Sequence, residues 1–307
     1  MSPVLTAVNR QATRYHCLWS RLGVSLWSKS PIMKKILLVS DGTRYSAGAF
    51  EFVRRLNELE PVLLTSVFAP QFDYANLWSY AAAASAGALS DPLLEEEEND
   101  EMAKNIARFE DQCLRNGMTY RVHKGNYDFA LPALKYESRF ADVMVLSGEL
   151  FYKEIIGAKQ FDYMKTVLHQ SACPVVIVPE DLSFPQSNIL AYDGSEEAVY
   201  AIKQFAYVFP ELAKNKTMLV YAETNDASDF PSKDDIVELA TQHFPDLTFC
   251  KLEVNPKRYF ATWIAEQKSS LLVSGSFGRP VFLQTFRKSF VADVIQEHQV
   301  PVFVAHQ

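Results

Sequence analysis

The chain repeats itself, and the repeat limits its fold more than any figure of composition does. ILLVSDGTRYSAGAFEFVRRL, from Ile36, and ILAYDGSEEAVYAIKQFAYVF, from Ile189, are each a short apolar run that ends in Asp-Gly-Thr or Asp-Gly-Ser. Apolar residues at helical spacing follow in both: Ala49, Phe50, Val53 and Leu56, then Ala198, Ile202, Phe205 and Ala206. The closing segments match as well, ADVMVLSGELF with SSLLVSGSFG and SACPVVIVP with HQVPVFVAH. Similarity over this span is an internal duplication.

Asp41 and Asp193 lie 152 positions apart, whereas Gly148 and Gly275, like Pro174 and Pro301, lie 127 apart. The first copy therefore carries about 25 extra residues, placed at 70–100, ahead of a helix expected over 93–115. Its Glu95 to Glu98 run reads as solvated charge favoured by a helix N-terminus, or as an acidic interaction motif.

In each copy the order is strand, helix, repeated to a fifth strand. The strands are expected near 35–40, 62–69, 119–123, 143–147 and 175–178, then 188–192, 217–222, 248–254, 271–274 and 300–305. Runs of Val, Ile and Leu alternating with amphipathic helices predict a parallel sheet covered on both faces. The fold class is α/β, with two tandem doubly wound parallel-sheet domains, at 33–179 and 188–307, joined by a linker at 180–187. Such sheets take ligands beyond the carboxyl ends of their strands, where the strand order reverses.

A length of 307 residues suits two cores, and 48% apolar with 22% charged residues is a soluble composition. No apolar run is long enough to span a bilayer, and a net charge of -7 argues against a nucleic-acid partner. Cys17, Cys113, Cys173 and Cys250 form no C-x-x-C pair, which fits a reducing cytoplasm, and the six histidines show no metal-ligand spacing. Residues 1–32 hold Arg10, Arg14, Arg21 and Lys29 and no acid. They read as a disordered tail or a segment ahead of a translation start at Met33, with an organelle transit peptide as the other reading.

The duplicated pattern resembles the universal stress protein family in its tandem, two-domain form. Its carriers are Asp-Gly-Ser/Thr after the first strand, the V-x-S-G or V-S-G-S strand end, and the Cys-Pro-Val-Val-Ile-Val-Pro or Val-Pro-Val-Phe-Val close, each present twice. The resemblance implies an adenine nucleotide alpha-hydrolase-like fold and a role in stress response. It also implies pairing of the last strands, here PVVIV with PVFVA, which would join the two halves as an intrachain pseudo-dimer and leave a homodimer open.

Nucleotide-binding members carry Gly-x-x-Gly, nine residues, then Gly-Ser or Gly-Thr around ATP phosphates, because glycines let backbone N–H groups approach and the hydroxyl opens a helix. The second half supplies Gly275, Gly278 and, after nine residues, Lys288 and Ser289. Lys288 adds a cation but brings a Cβ where glycine is expected, and Arg279 and Arg287 add charge. The other reading is a turn at Gly275 and Gly278 and a helix cap at Ser289. Asp193, with Gly194 and Ser195, matches the nucleoside-contacting aspartate or is a turn and cap; Tyr221, Ala222 and Ser274 line the base pocket or, for Tyr221, only pack. ATP with Mg²⁺ is thus expected in the second half alone. In the first half Phe151 and Phe161 replace glycines and Asp162 replaces the hydroxyl, so ATP is not expected there although Asp41 persists.

No Walker, G-x-S-x-G or kinase signature is present and no catalytic base can be assigned, so the chain reads as a non-enzyme, with slow ATP hydrolysis left open. Two classes of function remain. One is a cytoplasmic stress protein with a regulatory nucleotide; the other is a nucleotide-independent interaction module that recruits an unknown protein partner through 70–100 or its sheet surfaces. A third ligand class is a different small acidic molecule held by Arg279, Arg287 or Lys288.

Overall fold

The computed structural model describes residues 33–40, 45–68, 92–123, 130–148, 166–222, 230–252, 262–267, 269–275 and 300–306. Among them the first half runs β1 (Lys34–Ser40), α1 (Ala47–Leu59), β2 (Val62–Phe68), α2 (Pro92–Arg115), β3 (Thr119–His123), α3 (Ala130–Glu137), β4 (Val143–Ser147) and β5 (Val175–Val178). The second runs β6 (Ser187–Ala191), α4 (Glu196–Val208), α5 (Pro210–Ala213), β7 (Lys216–Ala222), α6 (Lys233–His243), β8 (Leu247–Leu252), β9 (Ser270–Gly275) and β10 (Val302–Ala305). Every expected strand is present, with ends moved by a residue or two, and the helix expected over 93–115 is α2.

The described strands form one sheet in the order β3-β2-β1-β4-β5-β10-β9-β6-β7-β8. Each half has its own first strand beside its fourth, which is the doubly wound order, and every pairing is parallel except β5 with β10. There Val176 faces Phe303, residues 127 apart in sequence that hold the same place in the two copies. The pseudo-dimer joint is therefore a strand pair inside one chain.

That ladder spans three residue pairs, against seven for β1 with β2. Rings above it add what the short ladder lacks. Phe303, fully buried, meets Phe205 and Phe209 edge-on at 5.4 and 5.9 Å, and Phe209 meets Phe52 of α1 at 6.4 Å. Aromatic pairs of this geometry contribute about 0.5–1.5 kcal/mol each beyond area burial. One core layer, holding α1, α2, α4 and α6 residues, covers this face; the second, with Leu134, Val167, Leu168 and Ile264, covers the other.

Helices α1 and α4 start alike. Ser46 Oγ accepts from Ala49 N and Ser195 Oγ from Ala198 N, both at 3.1 Å, each satisfying one of the amides that a helix start leaves unpaired. Sequence alignment sets Thr43 opposite Ser195, yet the cap of α1 is Ser46. The first half has five residues between the last strand residue, Ser40, and its cap; the second has two between Tyr192, in Ser40's place, and its cap.

The segment 180–187 is no loose tether. Phe184 packs on Phe52 at 5.8 Å and lies under the Arg55 guanidinium at 5.2 Å, so the connection is fastened along α1. No described helix is long and apolar enough to cross a membrane.

Candidate functional site

The order of each half reverses between its first and fourth strands, so the candidate sites lie beyond the carboxyl ends of β1 and β4 and of β6 and β9. In the second half the β6–α4 turn is built tightly. Asp193 is exposed and its Oδ1 accepts from Ser195 N at 2.9 Å, an Asx turn; Gly194 has φ +83, where an L side chain would be strained. Ser195 then caps α4.

Gly275 ends β9 against the first turn of α4. A Cβ there would lie 2.5 Å from Glu197 C and 2.6 Å from Ala198 N, so a strand and a helix start meet at this point only because the residue is glycine. Ser274 is buried, and its Oγ donates to the Gly275 carbonyl at 3.2 Å. Ala222 ends β7 opposite Leu252 of β8, and Tyr221 packs against Phe230 at 5.5 Å, the packing reading. Asp193, Gly194, Ser195, Ser274 and Gly275 are thus gathered at one edge. Gly278, Arg279, Arg287, Lys288 and Ser289 lie outside the described residues, as do Asp41, Glu149, Phe151, Phe161 and Asp162 of the first half.

The match of Gly148 with Gly275 needs correction by one residue. Val143 and Val145 face the layer that holds α1, as Leu271 and Val273 face the layer that holds α4, and these pairs are 128 apart. Register agrees: Leu38 pairs with Val145 and Leu190 with Val273. Ser147, not Gly148, therefore occupies the place of Gly275. Successive strand residues face opposite sides, so a one-residue offset exchanges which group meets the helix.

What meets the helix in the first half is a carboxylate that sequence reasoning left in the linker. Ser147 Oγ donates to Glu180 Oε1 at 2.8 Å, and Gly48 N, in the first turn of α1, donates to Glu180 Oε2 at 3.2 Å. Gly48 makes this possible: a Cβ on it would fall 2.3 Å from the Pro179 carbonyl and 2.8 Å from Glu180 Cα. A glycine in a helix's first turn, where Glu197 stands in the other half, was the available signal. The structure thereby puts a carboxylate of the linker on an amide at the start of α1, where a helix N-terminus favours negative charge.

Buried thiols offer no chemistry nearby. Burial pushes Cys113 up to about 12, with Glu110 adding to it, and Cys173 up to about 11 against a hydrogen bond from Ser171. Among the described residues no group of three potential metal ligands occurs.

No protein-family model matches the chain, and no curated protein matches it. Solved structures do. A universal stress protein from Archaeoglobus fulgidus DSM 4304 is 16% identical, with a TM-score of 0.64 over 89% of this chain and 96% of that one. A protein assigned provisionally to the universal stress proteins, from Pseudomonas aeruginosa UCBPP-PA14, is 10% identical, with a TM-score of 0.48 over 89% and 93%. The first likeness spans both halves and identifies the fold as that of universal stress proteins.

Proposed function

We propose that this chain is a tandem universal stress protein of the cytoplasm, whose second half takes an adenine nucleotide with Mg²⁺ as a regulatory ligand and whose first half is its structural partner. The observation that carries the reading is Glu180, whose carboxylate lies on Gly48 N and Ser147 in the first half. At the same edge of the second half Asp193 is exposed, and its second carboxylate oxygen can accept from ribose hydroxyls or base N–H. The fit among the described residues is therefore to the nucleoside end. Gly275, Gly278 and Ser289, with Arg279 and Lys288, are the groups proposed for the phosphates.

A second reading rests on a different observation. Asp193 closes a turn, Ser195 caps α4 and Gly275 admits α4, so each has a structural task that needs no nucleotide. That supports an interaction module that recruits a protein partner. No catalytic residue is assigned in either reading.

Calorimetric titration of ATP and Mg²⁺ into the full chain separates them, with Gly278→Phe as control. Micromolar binding that disappears in the control is expected. Absence of heat, with no nucleotide released from the purified protein, would leave the interaction module.

A further inference from the structure

A cleft of about 490 Å³ opens between α4 and α6 of the second half. Val199, Ile236 and Leu239 form its apolar wall, Tyr192 lies at its base, and Glu196, Asp235 and Lys203 stand at its rim. The volume is within the range of small-molecule sites. Tyr192 is held in place, its ring buried and its hydroxyl donating to the Pro231 carbonyl at 2.7 Å. Gly194 lines the cleft with backbone alone, and a Cβ there would meet Pro231 Cβ at 2.6 Å.

The first half shows what such a groove accepts. Tyr45 directly precedes the α1 cap, as Gly194 directly precedes the α4 cap. Its ring packs on Phe50 at 6.0 Å, in the place of Val199, and lies under the Arg108 guanidinium at 4.6 Å; its hydroxyl donates to Gln112 Oε1. The buried residues Phe109 and Cys113 of α2 correspond to Ile236 and Ala240 of α6, 127 positions on. At that offset Arg108 and Gln112 become Asp235 and Leu239, both of which line the cleft. Tyr45 is thus an intramolecular ring seated in the first half's version of this groove.

We infer that the second-half cleft binds a small aromatic amine, its ring against Val199, Ile236 and Leu239 and its ammonium towards Asp235. The exchange of Arg108, which lies over the ring of Tyr45, for Asp235 reverses the charge on that side of the groove, and Glu196 adds to it against Lys203. The hydroxyl of Tyr192 senses the same field: burial first, then Asp193 and Asp235, raise its pKa. The cleft adjoins the proposed nucleotide edge, since Gly194 and Ser195 also line it, but the side chains that hold the ring and the ammonium are not among those proposed for ATP.

The test uses tyramine, its carboxylate counterpart 3-(4-hydroxyphenyl)propionate and neutral p-cresol, titrated into the full chain with ligand-observed NMR. Ligands of this size bind in roughly the millimolar range. Tyramine should saturate first and the carboxylate last. Asp235→Asn, at an exposed position, should weaken tyramine about three-fold, as a partly screened charge does, and leave p-cresol unchanged. Val199→Trp should fill the cleft and abolish all three. No saturable binding, equal affinity for amine and carboxylate, or binding unmoved by either substitution would overturn the inference. If Val199→Trp does not fold, Asp235→Asn decides.

Discussion

The two halves run in opposite directions across the β5–β10 joint but share one strand order and one way of starting their first helix, yet each treats the carboxyl ends of its own strands differently. In the first half the protein's own side chains occupy them: Glu180 lies on the α1 amide and Tyr45 in the α1–α2 groove. In the second Asp193 is exposed and the α4–α6 groove is a cleft. Glycine also changes sides. Gly48 is on the helix and admits the linker, whereas Gly275 is on the strand and admits the helix. A duplicated backbone therefore does not duplicate an edge, because one glycine moved across a contact decides whether helix or linker comes close.

The joint is what the halves hold in common, and breaking it should have the largest effect. Phe303→Asp puts a carboxylate among Phe205, Phe209 and Val176, where burial of an unpaired charge costs about 3–5 kcal/mol. Both halves should lose stability together in urea denaturation, and small-angle scattering should show expansion. Loss confined to the second half would mean that the halves are held by something other than this strand pair.

The glycines sharpen the comparison next. Gly275→Ala should cost roughly 1–3 kcal/mol, as overpacking does, and speed amide exchange in α4. Gly48→Ala should cost a similar amount but loosen 180–186, read by the same exchange experiment. A matching pattern in the two variants would show that the glycines are equivalent after all.

The caps should behave alike. Ser46→Ala and Ser195→Ala each remove a hydroxyl that accepts from the third helical amide, for about 1 kcal/mol apiece. Thermal denaturation that falls unequally would show that the longer first-half turn supports α1 by other means.

The smallest expected effect is in pH. Burial first, and then His169, hold His306 below its ordinary 6.5, while a backbone hydrogen bond to His169 offsets part of this. The rings come from opposite sides of the joint, 6.2 Å apart. The unfolded chain takes up the proton first as pH falls, so this contribution is full above about 6.5 and declines below it. His306→Phe should flatten the decline between about pH 7 and pH 5 in denaturation midpoints.

Strands and helices were legible because buried parallel strands are apolar runs and helix faces repeat, as in Val143–Ser147 and Ala198 to Ala206. The pairing of PVVIV with PVFVA was legible through the resemblance. The offset of β4 against β9 was not, since VMVLS and LLVSG read as apolar runs at either register and only the side facing α1 or α4 separates them. Glu180 escaped because it sits 33 positions from Ser147 and 132 from Gly48, and a linker's composition carries no sign of such contacts. Tyr45 escaped because Asp-Gly-Thr resembles Asp-Gly-Ser, which hides three additional residues before the cap.

Because β5 and β10 belong to one polypeptide, dilution cannot part them: each is tethered at a fixed effective concentration by the residues between. Two separate subunits with a joint of three residue pairs would answer to expression level, and a substitution in either would appear on both sides of the axis. Here a change in one copy stays in that copy. The covalent link between the copies is what leaves one half at liberty to close over its groove while the other retains a cleft.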